Sequence, residues 1–385
     1  MKILAFVPYY PPHIGGLENY AEELDKHLSL KGTNVVVFTP RLPGNSPENE
    51  TDASGVRIIR FPAFEIVTNY PLPKFWLPKF WRMYHELFRE SFELTLSHTR
   101  FFNTSMMACA YHKVKNIPWL HIEHGSAFVE LSNKLTSLIS RGYDLTCGRH
   151  ILRSSTANIS ISGAVKGFIG RFDKRESPVI YRGLDLSEID SVEPDAELKN
   201  IYQNKIIIAF AGRLYKWKGV ANSIEAIGQL PAEIKNKVVF LVIGDGEDFQ
   251  HLEKISAPPV VMLGSLPRQK VFAALKTADI FIHSALPGGG LSTSLLEAMY
   301  CGCAIIATPD EGAKEVIVDR ETGLLIDKSD SQLIKEKIIE LCENPVDREK
   351  YAQNAKQRIR ENFDWNKNVD KYIRYFAEIL QSKHK

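Results

Sequence analysis

Ile206-Ile207-Ile208-Ala209-Phe210-Ala211-Gly212-Arg213-Leu214-Tyr215-Lys216-Trp217-Lys218-Gly219 carries the pattern on which the fold turns. Its opening, Ile206 to Ala211, is apolar without alternation, which marks a strand buried on both faces. A glycine ends the run, a basic loop follows, and a helix-length segment, Val220 to Leu230, comes next. Strand, loop and helix in that order form half of a unit whose strands run parallel and are covered by helices. Open sheets of this kind bind ligands at the carboxyl ends of their strands. Arg213 offers a planar fork matched to phosphate and Lys218 a point charge, a pair suited to a pyrophosphate. A solvated basic turn is the plain alternative.

The same grammar extends outward in both directions. Ile3 to Val7, Val35 to Phe38, Val56 to Phe61, Trp119 to Ile122, Ile159 to Ser162 and Val179 to Tyr181 read as strands ahead of it. Val238 to Ile243, Val260 to Leu263, Ile280 to Ile282, Ala304 to Ala307 and Leu324 to Ile326 read as strands after it. A polar, acidic stretch, Asp185 to Asn204, interrupts the series before it restarts at Ile206. The expectation is therefore two Rossmann-like α/β domains, residues 1–184 and 185–365, followed by a helical tail from Trp365. A length of 385 residues fits two such domains.

Composition narrows the function classes. Apolar residues are 44% and charged residues 24%, ordinary for a soluble globular chain. A net charge of +2 implies no broad polyanion-binding surface, and nothing asks for nucleic acid. The five cysteines are odd in number and form no Cys-x-x-Cys pair, which argues against a disulfide framework or a zinc site. A reducing, cytoplasmic compartment fits best. The N-terminal apolar run is too short for a signal peptide, and no run approaches the length of a membrane span.

Other segments carry chemistry. Gly15-Gly16 precede a helix near Glu18; a backbone without Cβ atoms and a helix N-terminus together favour a nearby anion. The spacing is not that of a dinucleotide fingerprint, and a ligand-free tight turn is the alternative. Leu286-Pro287-Gly288-Gly289-Gly290-Leu291-Ser292 leads from a strand to a helix, with Ser292 as N-cap and amides after Gly290 turned to an anion. Glu297, one turn further, sits amid apolar residues and can accept hydrogen bonds from two sugar hydroxyls. His121-Ile122-Glu123-His124 ends a strand; its spacing suits no metal set, and His124 reads as a substrate contact. His98 ends another strand and is a weaker candidate of the same kind. No Asp-x-Asp pair occurs, so a diphosphate would be neutralised by Arg213, Lys218 and helix ends without a metal or other cofactor. Pro73-Lys74-Phe75-Trp76-Leu77-Pro78-Lys79-Phe80-Trp81 repeats a Pro-Lys-Phe-Trp unit, either core packing or a basic, aromatic surface for peripheral contact with a membrane.

Taken in order, these segments resemble the family 4 retaining glycosyltransferases of GT-B fold, in which two Rossmann-like domains face each other across a cleft. The likeness spans nearly the whole chain: Gly15-Gly16, His124-Gly125-Ser126, Val179 to Asp185, Gly212-Arg213, Lys218-Gly219, Ile243 to Gly246, Leu263 to Ser265, Leu291 to Met299, Gly312 to Glu315 and Gly323 to Leu325. It implies transfer of a sugar from a nucleoside diphosphate sugar to a glycan or lipid-linked acceptor in surface polysaccharide assembly, at the inner face of the membrane. Gly16, Arg213, Lys218, Leu291 and Ser292 would bind the donor's phosphates and sugar, Glu297 the ribose, and the loop after Gly264 the base. His124, Gly289 and Gly290 would lie at the reacting centre, with Tyr10 and His98 on the acceptor side. The tail would pack back on the first domain. Such enzymes usually carry two glutamates eight positions apart; Glu297 matches the second, and the first falls on Gly289. Arg182 stands where an asparagine is common. Backbone groups of Gly288 to Gly290 could partly replace the carboxylate, because displacement on one face needs electrostatic help more than a nucleophile. A nucleotide-sugar epimerase and a non-catalytic nucleotide-sugar-binding protein are the alternatives.

Overall fold

The apolar runs of the first half form β1 (Lys2–Phe6), β2 (Asn34–Pro40), β3 (Asn49–Thr51), β4 (Arg57–Phe61), β5 (Ala63–Val67), β6 (Tyr70–Pro73), β7 (Leu94–His98), β8 (Trp119–Glu123) and β9 (Ala157–Ser160). The second half adds β10 (Ile206–Ala211), β11 (Val238–Ile243), β12 (Val260–Gly264), β13 (Ile280–His283), β14 (Ala304–Ala307) and β15 (Leu324–Leu325). The structure is a computed structural model that describes residues 1–13, 15–42, 44–67, 70–128, 134–286 and 291–382. Two compact units emerge: Met1–Arg182 with Trp365–Lys385, and Gly183–Asp364.

In the first unit the sheet runs β3-β4-β2-β1-β7-β8-β9, parallel except where β3 meets β4. Successive side chains of a strand point to opposite faces, so a strand apolar at every position feeds two cores. Ile3 and Ala5 pack with Tyr20, Leu24 and Leu28 of the helix Gly16–Leu30. Leu4 and Phe6 pack on the other face with Phe80, Tyr84 and Tyr111. The tail forms the helix Trp365–Ser382, whose Trp365, Val369, Tyr372 and Phe376 join the first of these cores. Burying each of those large side chains stabilises the unit by roughly 2–3 kcal/mol.

In the second unit the order is β12-β11-β10-β13-β14-β15, all parallel. The chain builds outward from β10 to β12, then returns to place β13 on the other side of β10. That reversal opens a crevice beyond the carboxyl ends of β10 and β13, where parallel sheets bind ligands. The first unit reverses between β1 and β7, which places the loops after Phe6 and His98 at its own crevice.

Three local readings change. Val179 to Tyr181 is not a strand: Val179 makes a single parallel bridge to Ser160 before the chain leaves the sheet. Ser162 does not extend β9; its side chain instead accepts from the Val165 amide and starts the helix Gly163–Ile169. The acidic stretch 185–204 is helical in part, with Asp185 and Asp195 accepting amides at the starts of Leu186–Asp190 and Ala196–Ile201. No described helix is long and apolar enough to cross a membrane.

Candidate active site

The second unit's crevice is shaped by glycines that no other residue could replace. A Cβ on Gly244 would fall 1.9 Å from the Gly212 carbonyl oxygen, so the loops after β10 and β11 touch backbone to backbone. Gly219 has φ of 68°, and a Cβ there would fall 2.0 Å from the Ser284 oxygen, which seats the helix Val220–Gly228 against the end of β13. Beside the Gly212–Gly244 contact lies a cavity of about 760 Å³, lined among others by Arg213, Tyr215, Arg268, Ser294 and Glu297.

The cavity wall carries two guanidinium groups, Arg213 and Arg268, and two carboxylates, Asp245 and Glu297, with Lys218 and Asp310 outside its lining. Arg213 is exposed, with one guanidinium nitrogen 3.2 Å from the Tyr215 hydroxyl. Lys218 ends the turn Lys216–Lys218, and its Nζ lies 4.4 Å from the centre of the Trp217 ring. Burial pulls the Lys218 ammonium below its usual range, and the negative charge of Asp310 partly restores it. Asp310 is itself buried; one oxygen accepts the Ala313 amide at 2.7 Å and the other lies 2.8 Å from His283 Nε2. Ser292 stands at the N-cap of the helix Thr293–Cys301, but its hydroxyl pairs with the Ser294 hydroxyl at 3.1 Å and does not cap the helix amides. Glu297, 6% exposed on that helix, lies 3.1 Å from an Arg268 nitrogen, and Arg268 Nε is 3.1 Å from both Glu188 oxygens. Glu297 thus faces the cavity and not bulk water. Arg213 and Glu297 share the cavity, and Leu291 and Ser292 lead into the helix that carries Glu297. Gly288, Gly289 and Gly290 lie outside the described residues.

The first unit groups three histidines at the ends of β7 and β8. His121 is fully buried, with Nδ1 2.8 Å from the Ser97 hydroxyl and Nε2 3.2 Å from Glu123. Burial raises the Glu123 carboxyl, but the Arg100 guanidinium at 3.0 Å, His121 and the Gly125 amide together outweigh it and hold the carboxyl well below its usual range. Arg100 is also paired with Asp144 at 3.0 Å, so a buried cation serves two buried carboxylates. His124 donates its backbone amide to Glu123 and packs edge-on against Tyr20. His98 Nδ1 lies 3.1 Å from His124 Nε2. Among the described residues no group of three or more His, Cys, Asp or Glu is placed to hold a metal ion.

Gly16, Tyr10 and His98 differ in what they expose. Gly16 opens the helix Gly16–Leu30, and the space where its Cβ would stand is empty to 4 Å. Tyr10 is 3% exposed in the core, with Asp25 beside its hydroxyl, and His98 is fully buried. Neither presents surface to an acceptor, because both side chains are consumed by packing. Phe80 is likewise core, whereas Phe75, Trp76 and Trp81 are 43%, 65% and 45% exposed. Sequence reasoning missed Arg268, Ser294 and the His283–Asp310 pair. Arg268 follows Pro267 at the start of a helix, and only the approach of two helices reveals that it meets Glu297.

The comparisons with known proteins follow the same division. Residues 14–188 match the family model described as Glycosyltransferase Family 4, and residues 192–358 match Glycosyl transferases group 1. An uncharacterised glycosyltransferase of Methanocaldococcus jannaschii is 41% identical, with 99% of each chain covered. Among solved structures, the sucrose-phosphate synthase of Thermosynechococcus elongatus aligns with a TM-score of 0.78 at 18% identity, covering 99% of this chain and all of that one. Anabaena HepE, solved in complex with UDP, aligns with a TM-score of 0.76 at 17% identity, covering 98% of this chain and all of that one. The low identities carry the fold and no more. With the full-length relative, the two family matches and the paired parallel sheets, the chain belongs to the family 4 glycosyltransferases and has the GT-B fold.

Proposed function

We propose that the chain transfers a hexose or similar sugar, with retention of configuration, from a nucleoside diphosphate sugar to a glycan or lipid-linked acceptor in surface-glycan assembly. The observation that carries this reading is the cavity at the carboxyl ends of β10, β11 and β12. It joins a phosphate-matched guanidinium, Arg213, to a buried carboxylate, Glu297, across a space of about 760 Å³. That volume suits a small-molecule ligand with a few convergent polar groups. HepE binds UDP and UDP-glucose on the same fold, which supports a nucleotide sugar as donor.

In this reading Arg213, Lys218, Leu291 and Ser292 of the second unit hold the phosphates and sugar, and Glu297 accepts the ribose hydroxyls. His124 is the first unit's candidate for a sugar contact. The chemistry needs no metal: cationic side chains and helix N-termini neutralise the leaving diphosphate, which then takes the acceptor proton. The test is incubation with a panel of UDP- and GDP-sugars and glycan acceptors, with product analysed for anomeric configuration. Formation of an α-linked product from an α-linked donor in the presence of chelator is expected. An inverted linkage, or dependence on a divalent cation, overturns the mechanism.

The exposed Phe75, Trp76 and Trp81 sit beside Lys74, Lys79 and Arg82, a composition suited to the interface of an anionic bilayer. We assign this surface to peripheral membrane contact, which would bring a lipid-linked acceptor within reach. Sedimentation with vesicles of anionic phospholipid should fall at least about fivefold in a Trp76→Ala, Trp81→Ala variant; equal binding removes the assignment.

A further inference from the structure

The His98–His124 contact decides which atom of His124 can meet a ligand. A single proton lies between His98 Nδ1 and His124 Nε2, 3.1 Å apart. The His98 ring is fully buried, and its Nε2 has no hydrogen-bond partner among the described residues. Two arrangements of a neutral pair are available. If His124 Nε2 donates, His98 must carry its own proton on Nε2 and bury an unpaired N–H. If His98 Nδ1 donates, its Nε2 is left as a bare lone pair, and His124 carries its proton on Nδ1. Orphaned buried N–H groups are rarer in proteins than under-satisfied acceptors.

We infer that His98 is the positioning residue of His124, donating from Nδ1 to His124 Nε2 and so fixing His124 as an Nδ1–H donor. The ligand atom that His124 meets is then an oxygen lone pair, from a sugar hydroxyl or a phosphate oxygen, and not a proton to be abstracted. Burial keeps both rings neutral: the His98 imidazolium is strongly disfavoured, and His124 is brought down to about 4. The groups that face His124 electrostatically divide between Glu123, which favours its charged form, and His121 and Arg182, which oppose it. Tyr20 meets the ring edge-on at 4.8 Å.

His121 supplies an internal contrast. Trp119 Nε1 donates to the Ser97 hydroxyl at 2.8 Å, which leaves that hydroxyl's own proton for His121 Nδ1. His121 carries a proton on Nε2, because the ionised Glu123 carboxylate 3.2 Å away can only accept. Two histidines three positions apart on one strand end are thus fixed in opposite tautomers by different second partners.

The experiment is two-bond nitrogen–proton correlation on the full chain labelled with ¹⁵N-histidine, at pH 7.5. Nδ1–H patterns are expected for His98 and His124, with an Nε2–H pattern for His121. An Nε2–H pattern at His124 overturns the inference. In His98→Phe, which keeps the ring and removes the donor, the His124 signal should change to a tautomer mixture. Donor turnover should fall about tenfold while calorimetric affinity for the nucleoside diphosphate stays within about twofold. An unchanged His124 signal in that variant also overturns it. The turnover part rests on the reading of His124 as a sugar contact: fixed tautomers with unchanged turnover would retain the His98 role and remove that reading.

Discussion

Glu297 and His124 bring opposite demands to buried positions, and each is met by a neighbour. Glu297 is paired with Arg268 at 3.1 Å. Its proposed role is to accept ribose hydroxyls, so its loss should matter only where those hydroxyls exist. Glu297→Ala should weaken binding of the preferred nucleoside diphosphate about tenfold in calorimetric titration, while the 2′-deoxy analogue changes much less. Equal losses for both would place Glu297 elsewhere. His124 is held neutral by burial, which links stability to pH. Its folded value is lowered from the ordinary 6.5 to about 4, so its contribution is complete above pH 6.5 and is lost as pH falls towards 4. His98 shifts in the same direction. For His124 the effect is on the order of 3 kcal/mol. Denaturant unfolding followed by tryptophan fluorescence should show stability falling between pH 6.5 and 4.5, with a shallower fall in His98→Phe. A flat profile would contradict the buried pair. Glu123 adds its loss only at lower pH, because Arg100 keeps it ionised.

At the scale of elements, the loops at the strand ends do the work and their glycines decide how closely they pack. Gly219 combines φ of 68° with a Ser284 oxygen where a Cβ would stand. Gly219→Ala should therefore lower the stability of the second unit by about 2–4 kcal/mol, read as a fall in melting temperature. Gly228→Ala in the same helix, where a Cβ would meet nothing within 4 Å, should leave it within about 1 kcal/mol. Equal effects would remove the packing argument. The β10 loop was legible in sequence because an unbroken apolar strand, a glycine and clustered cations follow one another. The hairpin of β5 and β6 was not, because Pro71 and Pro73 disguise it; prolines are tolerated there because the two strands form a sheet of their own with open edges. Val179 to Tyr181 read as a strand on its apolar residues alone, yet its pairing ends at the bridge from Val179 to Ser160, whose carbonyl accepts the Ile180 amide at 2.9 Å.

At the scale of the molecule, the restart of the strand pattern at Ile206 was visible because each sheet is buried on both faces and so writes itself as near-continuous apolar runs. The return of the tail to the first unit came only from family likeness; nothing in an amphipathic pattern says which sheet it will cover. The structure shows what is at stake in Trp365, 1% exposed and stacked on His27 with a ring separation of 5.7 Å. Trp365→Ala should destabilise the first unit by roughly 3–5 kcal/mol. Nucleotide binding by the second unit should persist in that variant wherever the chain stays folded. The candidate site divides in the same way. Arg213, Lys218 and Glu297 stood out as charge in apolar or glycine-rich settings, whereas Arg268 and Asp310 act through partners distant in sequence. A nucleoside diphosphate site in the second unit is tested most directly by calorimetric titration of UDP and GDP into the full chain. The wild type should bind one of them at a single site, and the Arg213→Ala, Lys218→Ala double variant should bind it about 100-fold more weakly. Binding of neither nucleotide, or equal affinity in the double variant, would contradict it.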